Sequence, residues 1–318
     1  MLGGALLVLL VAVALLHGSS APSPRTGHGA AARAVDPAKF AAGACVEYPP
    51  LRGDRHTTVF LDAGHGGRDP GAIGTTESGA TIEEAHETLP VELDAAHLLR
   101  QAGFTVVVSR TAQTTVLRLR QDDVAGSELS LLGAHDDVAA RDECANLARA
   151  SLLVGIYFDS GASPANAGSV TTYDTARPFA ARNERFATLL QHDVLTAMNA
   201  RGWGIPDDGT LPDNTFGSVV QSSPPSALAT AAQNYDHLML LGPAMAGYFT
   251  TPSSMPGAVI EPLFITDPFE GSLADSAQGQ QTIAGGIAEA VEQYFAPPAG
   301  REPAGRRATT SSTSHPRP

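Results

Sequence analysis

Two periodicities alternate along the chain. Residues 57–61 (TTVFL) are β-branched and apolar and stop at Asp62-Ala63-Gly64, which predicts a buried strand entering a tight turn. Residues 89–102 place Leu89, Leu93, Ala96, Leu98 and Leu99 at near-helical spacing; Gly103 follows as a stop, and Pro90 is tolerable in a first turn. Residues 104–108 predict the next strand, and 136–150 a helix with Val138, Ala145 and Ala148 on one face. Residues 152–158 (LLVGIYF) are continuously apolar, as expected of a central strand covered on both sides. A strand over 168–173, a helix over 180–200, a strand over 258–264 (AVIEPLF) and a closing helix over 278–295 complete the series. Strands alternating with helices predict an α/β domain with a mostly parallel central sheet and helices on both faces. The stretch 203–255 is rich in Pro and Gly with weak periodicity and is expected to form an insertion at the rim of the site.

The ends do not share this pattern. Residues 2–16 are an apolar run broken only by Gly3 and Gly4, followed by small residues, which reads as a secretory signal or a short membrane anchor. Residues 22–40 are expected to be a linker, 41–296 the folded unit, and 297–318 a Pro/Ser/Thr/Arg-rich tail that cannot bury enough surface to order itself. The formal net charge is −13, and both ends are basic, so the middle is more acidic still. Such a chain is a poor binder of nucleic-acid phosphates. Lys39 is the only lysine, which all but removes catalytic schemes that need one.

Chemistry concentrates at a few positions. His65 stands in a glycine-rich loop just past the first predicted strand, free to face a cleft, and the loop lacks a phosphate-binding spacing. Glu84 opens the following helix, where a carboxylate also suits the helix dipole. Glu261 interrupts an otherwise apolar strand, so it must be paired or face a cleft at the strand's C-terminal end. His97, His135 and His192 read as solvated or satisfied surface groups. Tyr235-Asp236-His237 could be a triad fragment, but no Gly-x-Ser-x-Gly elbow accompanies it. Cys45 and Cys144 are too far apart for a metal knuckle; they are either one disulfide, pinning the N-terminal part to the core, or two buried thiols.

The motifs in sequence order carry a family resemblance. VFLDAGHGGRDPGAIG (59–74), Glu84, GFTVVVSR (103–110), the Arg-x-x-x-Ala-Asn of 141–146 and the EPLFITDP of 261–268 together resemble the amidase-3 type of zinc-dependent N-acetylmuramoyl-L-alanine amidases, over roughly residues 57–295. The resemblance implies an amidase-3-like single domain and a Zn2+ ion held by His65 and Glu84, with Glu261 as the catalytic carboxylate. It also implies peptidoglycan as the partner, cut between N-acetylmuramic acid and L-Ala, and hence an exported protein. One holder does not carry over. Where the family has a histidine at the end of the central strand, this chain reads Gly155-Ile156-Tyr157-Phe158-Asp159. A catalytic zinc normally keeps three protein ligands. Three outcomes stay open: Tyr157 ligates as a phenolate, Asp159 or His86 substitutes, or the site is metal-poor and the protein is a peptidoglycan-binding or regulatory module.

Overall fold

The computed structural model describes residues 31–215 and 226–297. Its strands are β1 (Arg33–Ala34), β2 (Ala44–Tyr48), β3 (Thr58–Ala63), β4 (Ile73–Thr75), β5 (Thr81–Glu83), β6 (Thr105–Arg110), β7 (Val124–Ala125), β8 (Glu128–Leu129), β9 (Leu152–Ile156), β10 (Ser169–Tyr173), β11 (Asp207–Pro212) and β12 (Gly257–Glu261). Its α-helices are α1 (Glu84–Gln101), α2 (Leu131–Leu147), α3 (Ala180–Asn199), α4 (Ala227–Gln233), α5 (Pro268–Ala274) and α6 (Ala277–Phe295). Eight strands form one sheet in the order β1-β2-β6-β3-β9-β12-β10-β11. The central four, β6, β3, β9 and β12, run parallel, while β2 and β10 run antiparallel to them. The expected parallel core is therefore present, with mixed edges.

Strand alternation divides the core in two. Val59, Leu61, Val106, Val108, Leu152, Val154, Ile156, Ala258 and Ile260 face α1, α3 and α6 in one cluster. Phe60, Val107, Leu153 and Val259 point the other way, towards Phe40, Ala145 of α2, Leu240 and Met255. This is the period-2 consequence of the pleat in strands buried on both faces. Cys45 and Cys144 lie within the second cluster and are bridged across 99 residues of chain.

Several boundaries differ from the periodicity. Helix α1 begins at Glu84, five residues earlier than the apolar spacing indicates, so Pro90 sits in its second turn. Helix α2 begins at Leu131, where Ser130 caps it by accepting from the Gly133 N–H. Within the segment expected as linker, β1 pairs with β2 and Phe40 is fully buried. The 203–255 stretch is less peripheral than expected. It supplies the edge strand β11, and its Leu240 and Leu241 join the second core cluster against β9 and β12. Among the described residues no helix is long and apolar enough to cross a membrane. The N-terminal apolar run and residues 298–318 lie outside the described residues.

Candidate active site

The C-terminal ends of the parallel strands converge on one place. Strand β3 stops at Ala63, and the chain turns through Gly64-His65-Gly66-Gly67 with His65, Gly66 and Gly67 all at positive φ. Gly66 is required there twice over: its φ is 126°, and an added Cβ would stand 2.4 Å from the Thr114 carbonyl oxygen. The turn presents the His65 ring with both nitrogens engaged. Nδ1 lies 2.8 Å from Asp69 Oδ2 and Nε2 lies 3.1 Å from Glu84 Oε2. Glu84 is nearly fully buried, and its two oxygens also accept from the backbone N–H groups of Ala72 (2.9 Å) and Phe158 (3.0 Å). Gly71 leaves the space between them open, since a Cβ there would come within 2.6 Å of both Glu84 Oε2 and His65 Cδ2.

The remaining groups lie within electrostatic reach of this pair. Burial alone would lower the His65 pKa, but the Glu84 charge and the bonds to Asp69 and Glu84 outweigh it and raise it to about 10. Burial, reinforced by Asp159 and then Glu84, pushes the Glu261 carboxyl up to about 8 against the opposing His65 charge. Burial likewise raises Asp159, opposed by the Ser160 N–H and reinforced by Glu84 and Asp208. His65 and Asp159, in the segments just past β3 and β9, thus share this end of the sheet with Glu84 of α1 and Glu261 of β12.

Two of the substitute candidates are engaged with other partners. The Tyr157 hydroxyl donates to Asp62 Oδ2 at 3.1 Å, and its ring packs edge-on to His65 at 5.4 Å, tight against Gly64. Burial and the Asp62 charge hold its pKa well above that of a free phenol. His86 points outward and meets only Glu83, at 3.8 Å. His97, His135 and His192 have hydrogen-bond partners away from this cluster, and His237 lies at the opposite end of the sheet with Asp174.

Two arginines that sequence reasoning treated only as motif letters support the loop. Arg141, buried in α2, donates to Asp62 Oδ1, to the carbonyls of Ala63 and His65, and to Asp137. Arg110, at the end of β6, donates to the carbonyls of Gly64 and Ala85 and to Thr88. Carbonyls of a tight turn have no ladder partners, so buried guanidinium forks fill that role. Nothing in a single sequence distinguishes these arginines from solvated ones.

A doubly covered, mostly parallel α/β sheet with a buried imidazole–carboxylate cluster past its strand ends defines the molecule as an open α/β protein with a candidate catalytic site at the carboxyl ends of its strands. The chain belongs to the Amidase_3 family, described as N-acetylmuramoyl-L-alanine amidase, whose model matches residues 59–293; it is a hydrolase acting on an amide bond. It is similar to the N-acetylmuramoyl-L-alanine amidase AmiA of Escherichia coli, 26% identical over 74% of this chain and 75% of that protein. It is also similar to AmiC of Neisseria meningitidis, 23% identical over 77% of this chain, and spans 54% of that relative's length. Among solved structures, AmiC2 of Nostoc punctiforme shares the fold, with a TM-score of 0.52 and 21% identity, over 76% of this chain and 98% of the other.

Proposed function

We propose that the protein hydrolyses the lactyl-amide bond between N-acetylmuramic acid and the L-Ala of the peptidoglycan stem peptide, with a zinc ion held by His65 and Glu84 and with Glu261 as general base. The observation that carries this reading is the meeting of one imidazole with the carboxylates of Glu84, Asp159 and Glu261. The donor set fits zinc: an imidazole nitrogen and a carboxylate oxygen share one space that a side chain at position 71 would fill. Asp159 is the remaining candidate for third holder, because the Tyr157 hydroxyl is spent on Asp62. When bound, zinc would acidify a water and polarise the scissile carbonyl.

The chain's own groups do the rest. Asp69 accepts from His65 Nδ1 and so leaves Nε2 directed at Glu84. Glu261 takes the proton of the attacking water and returns it to the leaving amine, its buried carboxyl facing the same space as His65 and Glu84. Export suits this substrate, because the polymer lies outside the cytoplasmic membrane, and the N-terminal apolar run would direct it there, with or without anchoring.

A second reading is favoured by the Tyr157–Asp62 bond: a peptidoglycan-binding or regulatory protein that kept the fold and lost the metal. Digestion of purified sacculi, paired with metal analysis of the full chain, separates the two. Release of stem peptides that chelator abolishes and zinc restores is the expected result. A metal-free protein that binds sacculi without releasing peptide would overturn the hydrolytic reading.

A further inference from the structure

At the other end of the sheet lies a second convergence of metal-binding side chains. Strand β10 is antiparallel to β12, with Val170 opposite Glu261, so the chain leaves the active-site end as it proceeds to Asp174, roughly 13 Å further on. Strand β11 runs parallel to β10, with Tyr173 opposite Pro212, and carries Asp213 to the same place. His237 reaches it from the segment after α4. Asp174 and Asp213 are fully buried, and His237 is largely so.

Each carboxylate is held by one oxygen and presents the other. Asp174 Oδ1 accepts from the N–H groups of Ala176 and Arg177, both at 2.8 Å, while Asp213 Oδ2 accepts from the Leu238 N–H at 3.0 Å. The presented oxygens flank His237 Nδ1, Asp213 Oδ1 at 3.4 Å and Asp174 Oδ2 at 2.8 Å. Only the Asp213 contact has hydrogen-bond geometry; Asp174 Oδ2 is a buried oxygen with no hydrogen-bond partner. The three donor atoms lie within 4.8 Å of one another. Four ligands at about 2.1 Å around a tetrahedral ion stand roughly 3.4 Å apart, so little movement would be needed.

The charge is only partly compensated, by His237 and by Arg177, on which the Asp174 charge acts. Arg177, the neighbouring cation, donates to the carbonyls of Leu241, Gly242 and Ser253 rather than to these carboxylates. Among the described residues no guanidinium is hydrogen-bonded to either buried carboxylate, and a divalent ion with neutral imidazole would balance the two directly. Backbone N–H groups that orient the ligating carboxylates are the usual support of a built metal site. One nitrogen and two carboxylate oxygens suit zinc or a similar transition ion better than the all-oxygen shells of calcium and magnesium.

We propose that Asp174, Asp213 and His237 form a second site for a divalent transition-metal ion, which fastens the end of β11 and the segment after α4 to the edge of the sheet. Nothing in this site depends on zinc at His65 and Glu84, and the test keeps the two apart. The full chain, its His65→Ala variant, and His65→Ala combined with His237→Ala or with the near-isosteric Asp213→Asn are titrated with Zn2+ alone after chelator treatment. The expected result is that His65→Ala still binds about one equivalent and that both double variants lose it. In the His65→Ala protein, added Zn2+ should slow chymotryptic cleavage within 203–255 several-fold, and in the double variants it should not. A His65→Ala protein that binds no zinc, or double variants that bind it undiminished, would overturn the proposal.

Discussion

The two imidazole–carboxylate clusters at opposite ends of one sheet differ in what surrounds them. At the His65 end, the supporting acid Asp62 is matched by the buried guanidinium of Arg141, and Arg110 fills the carbonyls of the loop. At the His237 end, two carboxylates face one imidazole, and the nearby arginine is committed to backbone carbonyls. The loop that carries the first cluster is therefore braced by two buried arginines, whereas among the described residues the second cluster has no guanidinium bonded to its carboxylates. Chemistry at a strand end needs groups held in position while one face stays open to substrate. A structural ion needs only a closed set of donors.

The largest effect that would test this contrast is on turnover. Glu261→Gln should lower stem-peptide release by about 10²–10⁴-fold, the usual worth of a general base, with an unchanged melting temperature. His237→Ala should leave release within about threefold of the parent while altering metal content. Equal losses in the two variants would erase the distinction between the clusters. Next in size is Arg141→Met, which strips the cation from buried Asp62 and Asp137 and should cost about 3–5 kcal/mol in denaturant unfolding.

The pH dependence of stability isolates the bracing of the first cluster. Glu92 is fully buried, accepts from the Ala63 and Ser109 N–H groups, and is pushed up to about 8 by burial and then by Asp62, against the opposing Arg110 charge. Its folded pKa exceeds its unfolded one, so the native state holds the extra proton between them. That contribution is complete below about pH 4.5 and is lost as pH rises through 8. Melting curves of Glu92→Gln should therefore flatten over that window; an unchanged slope would assign the pH dependence to other groups. The smallest effect is expected from Tyr157→Phe, which removes one hydrogen bond to Asp62, at about 1 kcal/mol. Zinc content should not change in that variant, and a fall in it would place the phenol on the metal after all.

The strands and the first cluster were legible because local pattern and chemistry coincide there. A continuous apolar run such as 152–156 has few other uses than a central strand, and a carboxylate breaking the 258–264 run calls for a cleft. Helix starts were less legible. Glu84 to Thr88 lacks an apolar stripe, yet it is helical because Glu84 and Thr88 bind backbone groups of the His65 loop and of Phe158, just past β9. The 203–255 stretch was misplaced for a related reason. It reads as loop by composition, but Leu240 fills the space beside Gly155 and Val259, and Leu241 joins the same core cluster, a meeting that needs β9 to arrive from far earlier in the chain.

By itself the sequence determined the alternation of strands and helices, the histidine–glycine loop, and which carboxylates interrupt apolar surroundings. Each of these follows from a local preference or a desolvation cost. The tertiary structure alone decided that Tyr157 turns to Asp62, that Arg141 and Arg110 hold the loop, and that Asp174, Asp213 and His237 meet. Those outcomes depend on strand register and direction. An antiparallel β10 and a parallel β11 carry residues far apart in the chain to one buried point, and no local pattern records that meeting.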